Sequence, residues 1–177
     1  MRKLILLTLL AVLSGVPARA QFAGNGSTTV SVTVGPEAAI QVDTTSTALS
    51  TTGTVFNDYT GTTNFTYKIR TGASSGTGTI TLQVTADFSP SGGPSVASPP
   101  TAGDTLAYTC TVSSPGTGCS GSQTSSTTTS TPVATFGANA RSAKAGNSGS
   151  VSWTLTNDPR YQTGSYSATV TVTVSAT

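Results

Sequence analysis

Apolar and polar positions alternate through the last stretch of the chain, residues 164–177, which reads Gly-Ser-Tyr-Ser-Ala-Thr-Val-Thr-Val-Thr-Val-Ser-Ala-Thr. Ala168, Val170, Val172 and Val174 fall on one face, and Ser167, Thr169, Thr171 and Thr173 on the other. A period of two with β-branched residues on both faces predicts a strand, because successive side chains of extended backbone point to opposite sides. A strand of this kind must find neighbours for its backbone groups. Residues 28–34 carry the same alternation, Thr-Thr-Val-Ser-Val-Thr-Val, with Val30, Val32 and Val34 on one face. Gly35-Pro36 ends that run, since proline cannot donate to a ladder, and residues 38–42 resume as a short strand. The break fits either one strand that switches sheets or a free segment ahead of the first true strand.

Between these ends the pattern predicts five further strands. Residues 63–71 place Phe65, Tyr67 and Ile69 on one side and Thr66, Lys68 and Arg70 on the other, the half-buried pattern of an antiparallel sheet. Residues 79–88 follow, with Ile80, Leu82, Val84 and Ala86 inward, and the turn at 72–78 allows the two strands to form a hairpin. Residues 105–112 align Leu106, Tyr108, Cys110 and Val112. A short edge strand is expected at 133–136, and a strand at 151–155 holds the single tryptophan, Trp153. Residues 44–53 are polar apart from Leu49, and 89–103, 113–131 and 137–149 read as loops rich in Ser, Thr, Gly and Pro. About seven to eight short strands without a helical period beyond the first 20 residues predict an all-β fold, an immunoglobulin-like antiparallel β-sandwich.

Residues 1–20 read as a signal peptide: Arg2 and Lys3, an apolar run from Leu4 to Val12, and Ala18-Arg19-Ala20 before Gln21. The run is shorter than the roughly 20 residues a membrane-spanning helix needs. The expected product is secreted to the periplasm, cell surface or outside, as one domain of residues 21–177 in which 21–34 is a flexible or donor-strand segment. Loss of the leader also changes the charge. It removes three of eight basic residues, leaving five against six acidic ones. A near-neutral chain has no electrostatic footprint for nucleic acid or an anionic membrane, so neither is expected as a partner.

Cys110 and Cys119 are expected to form a disulfide in a secreted chain, pinning the root of a loop rather than clamping two sheets. Histidine is absent, which removes the usual catalytic triad and the commonest metal ligand. Glu37, Asp43, Asp58, Asp87, Asp104 and Asp158 are dispersed, mostly beside turns where carboxylates cap local backbone. No enzyme, metal or cofactor is expected. Trp153, Tyr108, Tyr67 and Phe65 fall at inward positions, whereas Phe56, Tyr59 and Tyr161 lie in loops and would serve a carbohydrate-binding module. Tyr166 is placed as a corner tyrosine whose hydroxyl caps a neighbouring loop.

The ending Gly-Ser-Tyr-Ser-Ala-Thr-Val-Thr-Val-Thr-Val resembles the Gly-x-Tyr-x-x-x-Val-x-Val-x-Val close of spore coat protein U and chaperone–usher pilin subunits. The leader, the 28–34 alternation and the 38–42 strand fit the same layout. The resemblance implies an incomplete immunoglobulin-like sandwich whose subunits join when one N-terminal strand fills a neighbour's groove. Val30, Val32 and Val34 would then be the donor residues, and Tyr166, Val170, Val172 and Val174 would mark the closing strand beside the groove. On this reading the chain is a structural or adhesive surface protein that assembles with itself or a related subunit. The competing reading is a monomeric secreted binding module for carbohydrate or protein, using the loops at 88–103 and 113–131.

Overall fold

The computed structural model describes residues 26–53 and 55–177. The leader at 1–20 and residues 21–25 lie outside them. The chain divides into two units, Met1–Thr33 and Val34–Thr177. In the first, residues 26–33 carry no strand, although their alternation predicts one. An alternating sequence specifies which face needs cover but supplies neither the cover nor the ladder, and a lone strand has nothing to bond.

The second unit holds ten strands: β1 (Glu37–Val42), β2 (Ser50–Thr51), β3 (Tyr59–Arg70), β4 (Gly78–Ser89), β5 (Leu106–Val112), β6 (Thr117–Gly118), β7 (Gln123–Thr124), β8 (Thr131–Phe136), β9 (Asn147–Leu155) and β10 (Ser167–Ala176). They form two antiparallel sheets, one ordered β1–β3–β9–β5–β7 with β2 also on β3, the other ordered β10–β4–β8–β6. This is the expected all-β sandwich. Seven strands are long, and β2, β6 and β7 have two residues each.

The core is the set of inward positions the alternation selects. Phe65, Tyr67 and Ile69 of β3 and Val151, Trp153 and Leu155 of β9 face Ile80, Leu82 and Val84 of β4 and Val133 and Phe136 of β8, all buried. The aromatic rings pack tilted, Tyr67 on Phe136 at 5.2 Å and Tyr108 on Trp153 at 5.5 Å between centroids. Each polar tip is satisfied: the Tyr67 hydroxyl donates to the Ser113 carbonyl at 2.5 Å, and the Trp153 indole donates to Thr63 Oγ1 at 2.8 Å.

Several expectations are corrected. β3 and β4 are not a hairpin; residues 71–77 carry the chain from one sheet to the other. β8 is not an edge strand, because β6 from the expected 113–131 loop pairs with its outer side. Ala86 is exposed rather than inward, since the ladder with β10 slips between Thr169 and Val170 and the alternation of β4 slips with it. The strand expected at 151–155 starts at Asn147 and includes Gly149, which faces Phe65 directly. A Cβ on Gly149 would stand 2.3 Å from the Phe65 ring, so the ring occupies the space a side chain would need.

The disulfide also differs from expectation. Cys110 lies in β5 of the larger sheet, while the Cys119 amide bonds the Val133 carbonyl and so extends β6 along β8 of the smaller one. The bond, with Cα atoms 5.4 Å apart, therefore joins the two sheets at one lateral side of the sandwich. β1 and β10 form the opposite side. They approach to within 8 Å between Cα atoms but share no ladder. One side is stapled and the other is open.

Candidate functional site

The open side is built by β10 and β1. On β10 the outward Thr and Ser hydroxyls pair with those of β4, Thr171 with Thr85 and Ser175 with Thr79, each at 2.9 Å. These cross-strand pairs and the ladder fix the register Val170↔Val84, Val172↔Leu82 and Val174↔Ile80. The inward row of Ala168, Val170, Val172, Val174 and Ala176 packs on the core yet stays only half-buried, unlike the partners on β4. The same holds for Ala38 and Ile40 of β1. The apolar rows of these two strands pack on a buried core and are themselves partly exposed. Thr177 donates its amide to the Thr77 carbonyl at 2.8 Å. By ladder alternation, the amides and carbonyls of Val170, Val172 and Val174 then turn to the other edge. Among the described residues no strand pairs with that edge.

The root of the N-terminal segment is fastened to the same sandwich. Arg70, the last residue of β3, donates from Nε to the Gly35 carbonyl at 2.7 Å and from a terminal nitrogen to Glu37 at 3.0 Å. Gly35-Pro36 is thus held just ahead of β1, at the end of the domain where the Thr177 carbonyl accepts the Gly72 amide. Val30, Val32 and Val34 are 90%, 83% and 62% exposed. Burying a valine side chain is favourable by about 1.5–3 kcal/mol, none of which is realised at Val30 and Val32.

Tyr166 behaves as a corner residue. Its hydroxyl donates to the Gln162 carbonyl at 2.7 Å, and its ring lies where a Cβ on Gly93 would come within 2.3 Å. The loops beside it, 90–105 and 156–166, enclose a cleft of about 420 Å³ lined by Phe88, Gly93, Ser95, Arg160 and Gln162. Asp87 organises the first loop. It accepts from the amides of Phe88, Val96 and Ala97 and from the Ser95 hydroxyl. Burial works against the charge, yet these bonds hold its carboxyl below the usual range. In the second loop the Thr101 hydroxyl and the Arg160 amide hold the Asp158 carboxyl low. The Tyr161 hydroxyl bonds Asp104, and burial together with that carboxylate pushes it far up.

Of the loop aromatics, Tyr59 opens β3 and is half-buried, Tyr161 is bonded to Asp104, and Phe56 alone is exposed. They do not form a shared platform. Among the described residues, no group of three His, Cys, Asp or Glu side chains is placed to hold a metal ion. The structure therefore brings Val170, Val172 and Val174 together with Ala38 and Ile40, and it leaves Val30, Val32 and Val34 exposed and without a strand. The residue that sequence reasoning missed is Arg70, which reads as one solvated cation of an alternating strand. Its only signal was its position at the strand's end. Family models, curated proteins and solved structures give no match to this chain.

Proposed function

We propose that this chain is a structural subunit of a bacterial cell-surface assembly, secreted and polymerising by β-strand addition in the manner of spore coat protein U and chaperone–usher pilins. The observation that carries the reading is the edge of β10, unpaired among the described residues, with its half-buried valine row, in a chain whose alternating valine segment is exposed and forms no strand there. The strand order supports it. β1, β3, β9 and β5 can be lettered A, B, E and D, and β10 and β4 can be lettered F and C of an immunoglobulin-type sandwich, while β8 next to β4 falls outside that lettering; among the described residues no strand takes the place of G beside β10. A donor strand from another copy would take that place, its ladder on β10 and Val30, Val32 and Val34 against the core. A strand paired with both β10 and β1 needs about 9.5 Å between them, two ladder spacings. Their approach within 8 Å means that β1 gives way as the donor enters.

The test is deletion of residues 21–34. The shortened chain should fold, since the buried core lies in Val34–Thr177, yet form no polymer, while the full chain yields fibres. A full chain that stays monomeric under all conditions, with or without a cognate chaperone, would sink the proposal. It would also favour a monomeric module that binds through its loops.

A further inference from the structure

Charge is segregated along the sandwich domain. The upper end, where β3 finishes and β9 begins, carries Lys68, Arg70, Arg141 and Lys144 against Glu37, with Asp43 further down the same side, where it accepts from Thr66 two residues along β3 from Lys68. The lower end, where β4 and β9 finish and β3 and β5 begin, carries Asp58, Asp87, Asp104 and Asp158 against one cation, Arg160. Among the described residues the one ion pair is Arg70–Glu37, so Lys68, Arg141 and Lys144 form no ion pair there. The 12 residues of β3 separate the ends by roughly 36 Å. That is several times the roughly 8 Å screening length at physiological salt, so neither end neutralises the other within one molecule. Asp87 and Asp158 are held ionised by their hydrogen bonds, which keeps the lower end acidic at neutral pH. Val55 and Phe56 stand exposed in the loop before β3 at this lower end, close in the chain to Asp58.

We infer that copies of this chain stack head to tail, the basic upper end of one against the acidic lower end of the next. The partner that complements both surfaces is the chain itself, and a contact between opposite ends of identical molecules propagates as a filament rather than closing a dimer. The inference rests on the strand-addition reading, and it agrees with its geometry. The Gly35 root leaves from the basic end, and a donor strand antiparallel to β10 finishes at the neighbour's acidic end. Charge complementarity thereby steers encounter and sets the polarity of growth before any strand is exchanged.

The test uses the full chain and follows polymer growth at about 20 mM and 500 mM NaCl. Wild-type growth should slow on the order of tenfold at high salt. Arg141→Glu/Lys144→Glu should slow growth on the order of tenfold at low salt and match wild type at high salt. Asp58→Lys should slow it likewise from the opposite end, and adding it to the first variant should restore part of the rate. Arg141, Lys144 and Asp58 are exposed, and melting curves check that each variant folds. Polymers that form at the same rate in every variant and at both salts overturn head-to-tail steering while leaving strand addition intact. A wild-type chain that never polymerises overturns both.

Discussion

If the open edge of β10 is a strand-acceptor site, a peptide of residues 26–34 should stabilise a domain that begins at Gly35. Three valines enter an edge whose own Val170, Val172 and Val174 are half-buried, so each gains part of the 1.5–3 kcal/mol of full burial. Ordering the peptide backbone consumes much of that gain, which makes absolute affinity a poor test. The ratio between peptides is a better one, because the ordering cost cancels. Val32→Ala removes two carbons, worth about 1.6 kcal/mol at 0.8 each, or roughly fifteenfold in affinity. Val32→Asp adds the desolvation of a carboxylate and should weaken binding more than a hundredfold. At a concentration 100 times the Kd of the native peptide, the domain gains about 2.7 kcal/mol, a Tm rise of roughly 5–10 °C. Under the same conditions the Ala peptide should give a clearly smaller shift and the Asp peptide none. Equal shifts for all three peptides, or none at millimolar native peptide, would refute the reasoning.

Other outcomes follow from particular contacts. Replacing Cys110 and Cys119 by Ser opens a loop with a sequence separation of 9 and should cost about 2.5 kcal/mol in denaturant unfolding. Tyr166→Phe loses the bond to the Gln162 carbonyl and should lower stability by about 1 kcal/mol. Gly93→Ala should lower it by about 1–3 kcal/mol, because the new methyl meets the Tyr166 ring. Asp87 has a depressed folded-state pKa, so its stabilisation is complete above the ordinary carboxylate value and is lost as pH falls through the lower folded value. Unfolding from pH 7 to pH 2 should therefore show an acid limb that Asp87→Asn flattens.

The core was legible in the sequence because alternation is a local property. Phe65, Tyr67, Ile69, Ile80, Leu82, Val84, Tyr108 and Trp153 all face inward as their phase requires. What alternation could not say is which strand lies next door. The loop at 71–77 suits a hairpin as well as an arch between sheets, and only the sheet order separates them. Gly149 breaks the pattern of β9 in sequence, but the Phe65 ring restores the missing packing from across the ladder. The Cys110–Cys119 pairing is legible in the sequence but its link between sheets is not, because the Ser- and Thr-rich stretch after β5 hides a two-residue strand of the other sheet. Residues 28–34 and 167–176 have nearly the same pattern and opposite fates. The difference is the presence of β4 beside one of them.

The clamp at Gly35 has a mechanical consequence. Tension applied to the chain at this point, along the strands, reaches Arg70 first and then the six register pairs between β1 and β3, Glu37↔Arg70 through Val42↔Phe65. Because the pull runs along the strands, those pairs bear load together in shear instead of peeling one after another. The guanidinium adds a contact to both the Gly35 carbonyl and Glu37 ahead of the first pair. A domain joined to its neighbours through that root resists extension with a whole strand at once.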